Sequence, residues 1–166
     1  QSPVAPGVSR ARRTMCGIAG IIGVDPGLRD RLPGMLQALR HRGPDGEGQI
    51  AGPRAVFGHR RLSVIDLEGG RQPLTNEDES VWLVCNGEIY NHRELRATLE
   101  AGGYRFRTRS DSEVILALYE RHGDGLLGHL RGMFAFALWD TRRRRLLAAR
   151  DHLGQKPFYY ATVNGG

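Results

Sequence analysis

Six short apolar runs, each of strand length and bounded by turn residues, divide this chain: GIAGIIG (17–23), RAVFGHRRLSVID (54–66), SVWLVCNG (80–87), MFAFALWD (133–140), RRLLAARD (144–151) and KPFYYATV (156–163). Three helical patterns lie among them. In 28–40, Leu28, Leu32, Met35, Leu36 and Leu39 recur at helical spacing. Asn91 with Glu94, and Ser110 with Glu113, have the spacing of capping boxes and open two further helices that Gly102–Gly103 and Gly123 close. Helices grouped between hairpins, rather than alternating one to one with strands, predict an α+β fold: antiparallel sheet with helices on its outer faces.

The length of 166 residues suits one domain with a single sizeable core. No run reaches the roughly 18 apolar residues of a membrane span, which reads against a membrane partner. The formal charge of +6 raises the question of nucleic acid, but arginine supplies nearly all of the basic residues and Lys156 is the only lysine. The densest patch, Arg142 to Arg145, joins two apolar strands and reads as a solvated hairpin rather than a nucleic-acid arm. Cys16 and Cys85 form neither a disulfide framework nor a metal-ligand spacing. The expectation is a reduced, cytoplasmic protein. Residues 1–14, QSPVAPGVSRARRT, carry no strand or helix signal and read as a non-domain tail, a mis-set start or a leader.

Polar clusters at strand ends are the candidates for chemistry. In NGEIYNH, the Asn86–Gly87 pair can present a side-chain amide and a bare backbone N–H together, as an oxyanion hole requires, or can simply make a tight turn. In GHRRLSVID an arginine beside a buried strand suits bidentate capture of a carboxylate, or is one more surface arginine. In RSDSEV, Asp111 can favour a helix start through the dipole or hold a ligand ammonium. Taken together these supply a carboxylate binder, an ammonium binder and an oxyanion hole, the parts that hold an α-amino acid while its side-chain carbonyl is attacked.

The missing nucleophile points to Cys16, directly behind Met15. If Met15 is removed, the α-amine of Cys16, with a reference pKa of about 7.7–8.0, becomes a base for the thiol on the same residue. Cys85, among Trp82, Leu83 and Val84, reads as an inert core thiol.

MCGIAGIIG, RHRGPDGEG, HRRLSVIDLEGGRQPL, NGEIYNHRELR, SDSEVILALYE, LRGMFAFALWD and ARDHLGQKPFYY run in order through almost everything after residue 14. They resemble the N-terminal glutaminase domain of glutamine-hydrolysing asparagine synthetases. That domain is a class II glutamine amidotransferase with a four-layer α/β/β/α sandwich of the N-terminal-nucleophile hydrolase type. The resemblance implies that Cys16 attacks the glutamine carboxamide to give a γ-glutamyl thioester and ammonia. It implies that Arg61 holds the substrate carboxylate, preferred over Arg60 because the RLS pattern follows from it. The same resemblance lines the pocket with Leu62, Ser63, Val64 and Ile65, gives Asn86 and Gly87 the oxyanion, sets Glu88 at the pocket wall and Asp111 on the substrate ammonium.

The partners implied are glutamine and a C-terminal synthetase domain of the same polypeptide; a homodimer is left open. No cofactor or metal is expected in this domain, while ATP and magnesium are expected for the synthetase domain, which would convert aspartate to asparagine. The domain is expected over 15–166, cut short at its C-terminal end. Two other readings stand beside this one: the glutaminase-like half of a related amide or lactam synthetase, and a non-catalytic module of the same fold.

Overall fold

The computed structural model describes residues 15–23, 25–62 and 71–163 of the chain. The tail at 1–14, and Ser63, Val64 and Ile65, lie outside the described residues. In chain order the elements are β1 (Gly17–Ile22), α1 (Pro26–Arg29), α2 (Leu32–Ala38), β2 (Gly46–Ala51), β3 (Ala55–Arg61), β4 (Leu74–Thr75), β5 (Val81–Ile89), α3 (His92–Ala101) and α4 (Glu113–His122). A 3-10 helix (Gly123–His129), β6 (Gly132–Asp140) and β7 (Arg145–Arg150) follow. Two antiparallel sheets result, one in the order β1-β3-β2 and one in the order β4-β5-β6-β7.

Strand periodicity builds the layers, because successive side chains leave a strand on opposite faces. Ala19 on β1 and Val56 on β3 turn outward and meet Leu32 and Leu36 of α2. Ile18, Ala55 and Phe57 turn inward and meet Trp82 and Val84 of β5 and Ala137 and Trp139 of β6. On the far side of the second sheet, Leu83, Cys85, Phe136 and Leu138 pack on Leu99 of α3 and on Val114, Ile115 and Leu118 of α4. The order helix, sheet, sheet, helix is the expected α/β/β/α sandwich, an α+β fold. Among the described residues no helix is long and apolar enough to cross a membrane.

Several local expectations need correction. The helical pattern of 28–40 is broken into α1 and α2, because Pro33 is tolerated in a first turn but would clash with the carbonyl four residues back in a continuous helix. The segment 156–163 forms no strand; Tyr159 and Tyr160 are each 90% exposed. β2 escapes sequence reading because GEGQIA carries two glycines, and β4 because two residues have no period. Neither capping box forms. Asn91 instead takes the Arg131 N–H at 3.0 Å and donates to the His129 carbonyl at 2.9 Å, tying the start of α3 to the approach of β6. Glu113 is buried and accepts the N–H groups of Arg107 and Thr108 at 2.7 and 2.8 Å, which pins the loop ahead of α4.

The arginine-rich turn lies between β6 and β7, where Arg142 pairs with Asp78 and Arg145 with Asp124.

Candidate active site

Cys16 immediately precedes β1, and the end of β3 runs beside it. The Leu62 N–H donates to Cys16 Sγ at 3.4 Å, and Sγ lies 3.8 Å from the Leu62 carbonyl oxygen, which seats the side chain at the end of β3. Arg42 Nε donates to the Cys16 carbonyl at 3.4 Å, holding the residue from the other side. Gly43, next in the RGPDG loop, lies so close to β3 that a Cβ there would stand 2.4 Å from the Arg60 carbonyl carbon. Only glycine lets this loop pack against the end of β3.

The pleat of β3 separates its two arginines. Arg60 points outward, donates to the Leu36 carbonyl at 3.0 Å and pairs with Glu47 at 2.6 Å. Arg61, two residues on from His59, is buried on the inner face. His59 is 2% exposed, and its Nε2 has no hydrogen-bond partner among the described residues. Burial first, and the Arg61 charge second, lower its pKa to about 4, so the ring is neutral near pH 7.

β5 supplies the opposite wall. Tyr90 N–H bonds the Arg131 carbonyl, and Phe134 gives both its backbone groups to Asp151, so alternation along the β5–β6 ladder leaves Cys85, Gly87 and Ile89 facing away from β6. β4 pairs only with Trp82 and Leu83 and does not cover these three. Side chains take its place at two of them. Gln72 accepts the Cys85 N–H at 2.6 Å and donates to the Cys85 carbonyl at 3.1 Å. Asp111 Oδ2 accepts the Ile89 N–H at 2.7 Å. The Gly87 N–H stands between these two clamps. Gly87 has a φ of +153°, and a Cβ would lie 2.0 Å from the Met133 carbonyl oxygen, so no other residue fits.

Asn86, 5% exposed, faces the space between the sheets, and its side-chain amide makes no hydrogen bond among the described residues. Glu88 is half-buried at the end of the same strand. Asp111 is thus neither a helix cap nor a free surface acid; one oxygen braces β5, and the other has the Ser112 hydroxyl at 3.5 Å. Cys85 sits among these groups as a core thiol, pushed up to about 12 by burial, within electrostatic reach of Asp111, Cys16 and Lys156. The residues expected from sequence at Cys16, Arg61, Leu62, Asn86, Gly87, Glu88 and Asp111 therefore gather where the ends of β1, β3 and β5 meet.

Other residues around the site are not read as site residues from sequence: His59, Gln72, Asp151 and Lys156. Asp151 accepts the N–H groups of Phe134, Leu153, Gln155 and Lys156 at 2.9–3.2 Å. Burial pushes that carboxyl up, but the four donors outweigh it and hold it below the usual carboxylate range. The signal for this loop was present in RDHLG, an aspartate followed by a glycine just past a strand. Among the described residues no group of three or more His, Cys, Asp or Glu is placed to hold a metal.

Comparison with known proteins agrees with this geometry. A family model described as "Glutamine amidotransferase domain" matches residues 15–166. Asparagine synthetase [glutamine-hydrolyzing] 1 of Bacillus subtilis is 46% identical over 155 residues, 90% of this chain and 24% of the relative. Asparagine synthetase B [glutamine-hydrolyzing] of Escherichia coli is 46% identical over 149 residues, 87% of this chain and 26% of the relative. The chain thus spans about a quarter of the length of these relatives. Among solved structures, the glutamine phosphoribosylpyrophosphate amidotransferase of B. subtilis superposes with a TM-score of 0.61 at 24% identity, over 76% of this chain and 35% of that one. At that identity the likeness speaks for the fold alone, the N-terminal-nucleophile hydrolase sandwich. With the family pattern covering residues 15–166 and that sandwich beneath it, this chain belongs to the glutamine amidotransferase domain family.

Proposed function

We propose that the chain hydrolyses glutamine to glutamate and ammonia, with Cys16 as an N-terminal nucleophile once Met15 has been removed. One observation carries the reading: Cys16 and the braced edge of β5, with Gly87 between its two clamps, lie around a single core residue, Cys85.

The α-amine of Cys16 takes the thiol proton, directly or through a water, and Sγ attacks the carboxamide carbon of glutamine. The electron pair of the broken C=O π bond moves to oxygen. The Gly87 N–H and the Asn86 amide receive that oxyanion, a pair in which one donor is worth about 10²–10³ in rate. Collapse breaks the C–N bond, and the α-ammonium returns its proton to the leaving nitrogen as ammonia. The γ-glutamyl thioester that remains is attacked by water, whose proton goes to the amine. Glutamate leaves, and the thiol is restored.

Arg61 takes the substrate α-carboxylate, with the backbone of Leu62, Ser63, Val64 and Ile65 beside it. The free capacity of Asp111 takes the α-ammonium, and Glu88 forms the pocket wall. Fixing both α-groups sets the one side-chain length that reaches Sγ. In the longer polypeptide the ammonia would amidate aspartate to asparagine at an ATP- and magnesium-using synthetase domain; the names and lengths of the relatives support this.

The test uses the full-length protein. Its N-terminal peptide should begin at Cys16 by mass, and Cys16→Ala should abolish glutamate release while leaving the circular dichroism spectrum unchanged. Glutamate release from Cys16→Ala, or from a protein still carrying Met15, overturns the mechanism. Asparagine formed from glutamine, aspartate and ATP would establish the acceptor; another amide would move the chain to a different synthetase.

A further inference from the structure

The single lysine of this arginine-rich chain is buried against Met15, the residue ahead of Cys16. Lys156 is 7% exposed, and its Nζ lies 3.2 Å from Met15 Sδ, its only side-chain partner among the described residues. A buried ammonium ordinarily pairs with a carboxylate, and a thioether is a weak acceptor; among the described residues no carboxylate is bonded to this Nζ. The surrounding loop is built to keep it there. Asp151, just past β7, gathers the N–H groups of Leu153, Gln155 and Lys156, which turns the chain back toward β6 and fixes the Lys156 backbone. The Asp151 carboxylate accepts those backbone donors and makes no hydrogen bond to Nζ among the described residues.

Met15 is bonded to the nitrogen of Cys16, so its removal exposes a new α-amine beside the space its side chain filled, with Lys156 on the far side of that space. We propose that Lys156 is a positioning residue that acts through this amine: its charge disfavours the ammonium form and keeps the amine basic toward the Cys16 thiol at neutral pH. This rests on the reading of Cys16 as an N-terminal nucleophile.

The other groups around Cys16 leave that role to Lys156. Arg42 is committed to the Cys16 carbonyl. Arg61, on β3, faces the proposed carboxylate site and is neutralised when substrate binds. His59 carries no charge near pH 7. On β5, Cys85 stays a neutral thiol. Among the described residues the acids on this side are Glu88 at the end of β5 and Asp111 ahead of α4, the latter engaged by the Ile89 N–H. Lysine suits the task better than arginine because its charge is a compact point rather than a broad fork.

A nearby like charge lowers the proton affinity of an amine by about one pH unit. From a reference near 7.8, that raises the basic fraction at pH 7 about fourfold. The experiment follows glutamate release against pH in the full-length protein, with the terminus at Cys16 confirmed by mass, for wild type, Lys156→Met and Lys156→Arg. The acid limb of kcat/KM should move up by about one pH unit in Lys156→Met. Its rate should fall about fourfold at pH 7 and rejoin wild type above pH 9, and Lys156→Arg should recover most of the loss. If Lys156→Met fails to fold, Lys156→Gln is read in the same way. A profile unchanged in the lysine variants, or a loss equal at every pH, overturns the proposal while wild type still works. An inactive wild type with a free Cys16 overturns the mechanism beneath it instead.

Discussion

Arg60 and Arg61 are adjacent and chemically identical, yet the pleat of β3 sends one to α2 and the other to the interior. Arg61→Ala should therefore lower kcat/KM for glutamine about 10²-fold, the scale of a lost hydrogen-bonded charge contact. Arg60→Ala should leave turnover unchanged and cost at most about 1 kcal/mol of stability through the Glu47 pair. Steady-state kinetics on both variants checks this, and the reverse ranking would put the register one residue out. Asp111→Asn is the second residue-scale case. An asparagine oxygen can still accept the Ile89 N–H, so the fold should hold, while loss of the charge should raise KM for glutamine about 10–10²-fold. Candidate residue types for this site could be proposed from the sequence because each chemical task admits few side chains. The choice between neighbouring arginines was not, since it depends on which way the strand lies, and only the pattern of relatives pointed to Arg61. His59 and Gln72 were not legible at all, because their roles arise from long-range packing.

Elements were legible where apolar period and length were both strong. β5 and β6 stand within two residues of their expected ends, whereas the glycine-diluted β2 and the two-residue β4 carried no usable period. The expected caps failed because Asn91 and Glu113 bond to distant loops, and a local motif cannot reveal a tertiary competitor. Helix α2 shows what packing adds. It buries only Leu32 and Leu36, and Leu36 sits over Gly58, where a Cβ would come within 2.6 Å of Leu36 Cδ1. Leu36→Ala should then destabilise the fold by about 2–5 kcal/mol. Met35→Ala, one residue away and 40% exposed, should change stability by about 0.5 kcal/mol or less. Urea midpoints for the two variants provide the comparison.

At the scale of the molecule, α+β was readable from the pattern of elements, but the stacking of two sheets was not. It depends on which strands share a sheet, and the four layers were implied only by resemblance. The sandwich makes its own stability depend on pH. In the unfolded chain His59 binds a proton near its ordinary value of 6.5, but in the folded chain only near 4. Its pKa is lowered by folding, so the unfolded state holds more protons between these values. Stability should be full above pH 6.5 and fall as pH drops toward 4, by about 3 kcal/mol. Asp151, also lowered, adds a further loss below its ordinary carboxylate range. Urea unfolding at pH 7 and pH 4.5 should show this slope in wild type and a flatter one in His59→Gln; an equal slope in both would place its origin elsewhere.

The brevity of β4 has an evolutionary consequence. An open strand edge is ordinarily a defect that selection covers, since it invites unwanted pairing. In this chain the stretch of β5 that β4 does not pair is where Gln72, Gly87 and Asp111 meet, so a longer β4 would tighten the sheet and displace the clamps. Improvement of the scaffold and retention of the reaction thus compete for the same few backbone groups. Lineages free to lose the chemistry would be expected to close that edge, leaving a sturdier sandwich with an idle cysteine.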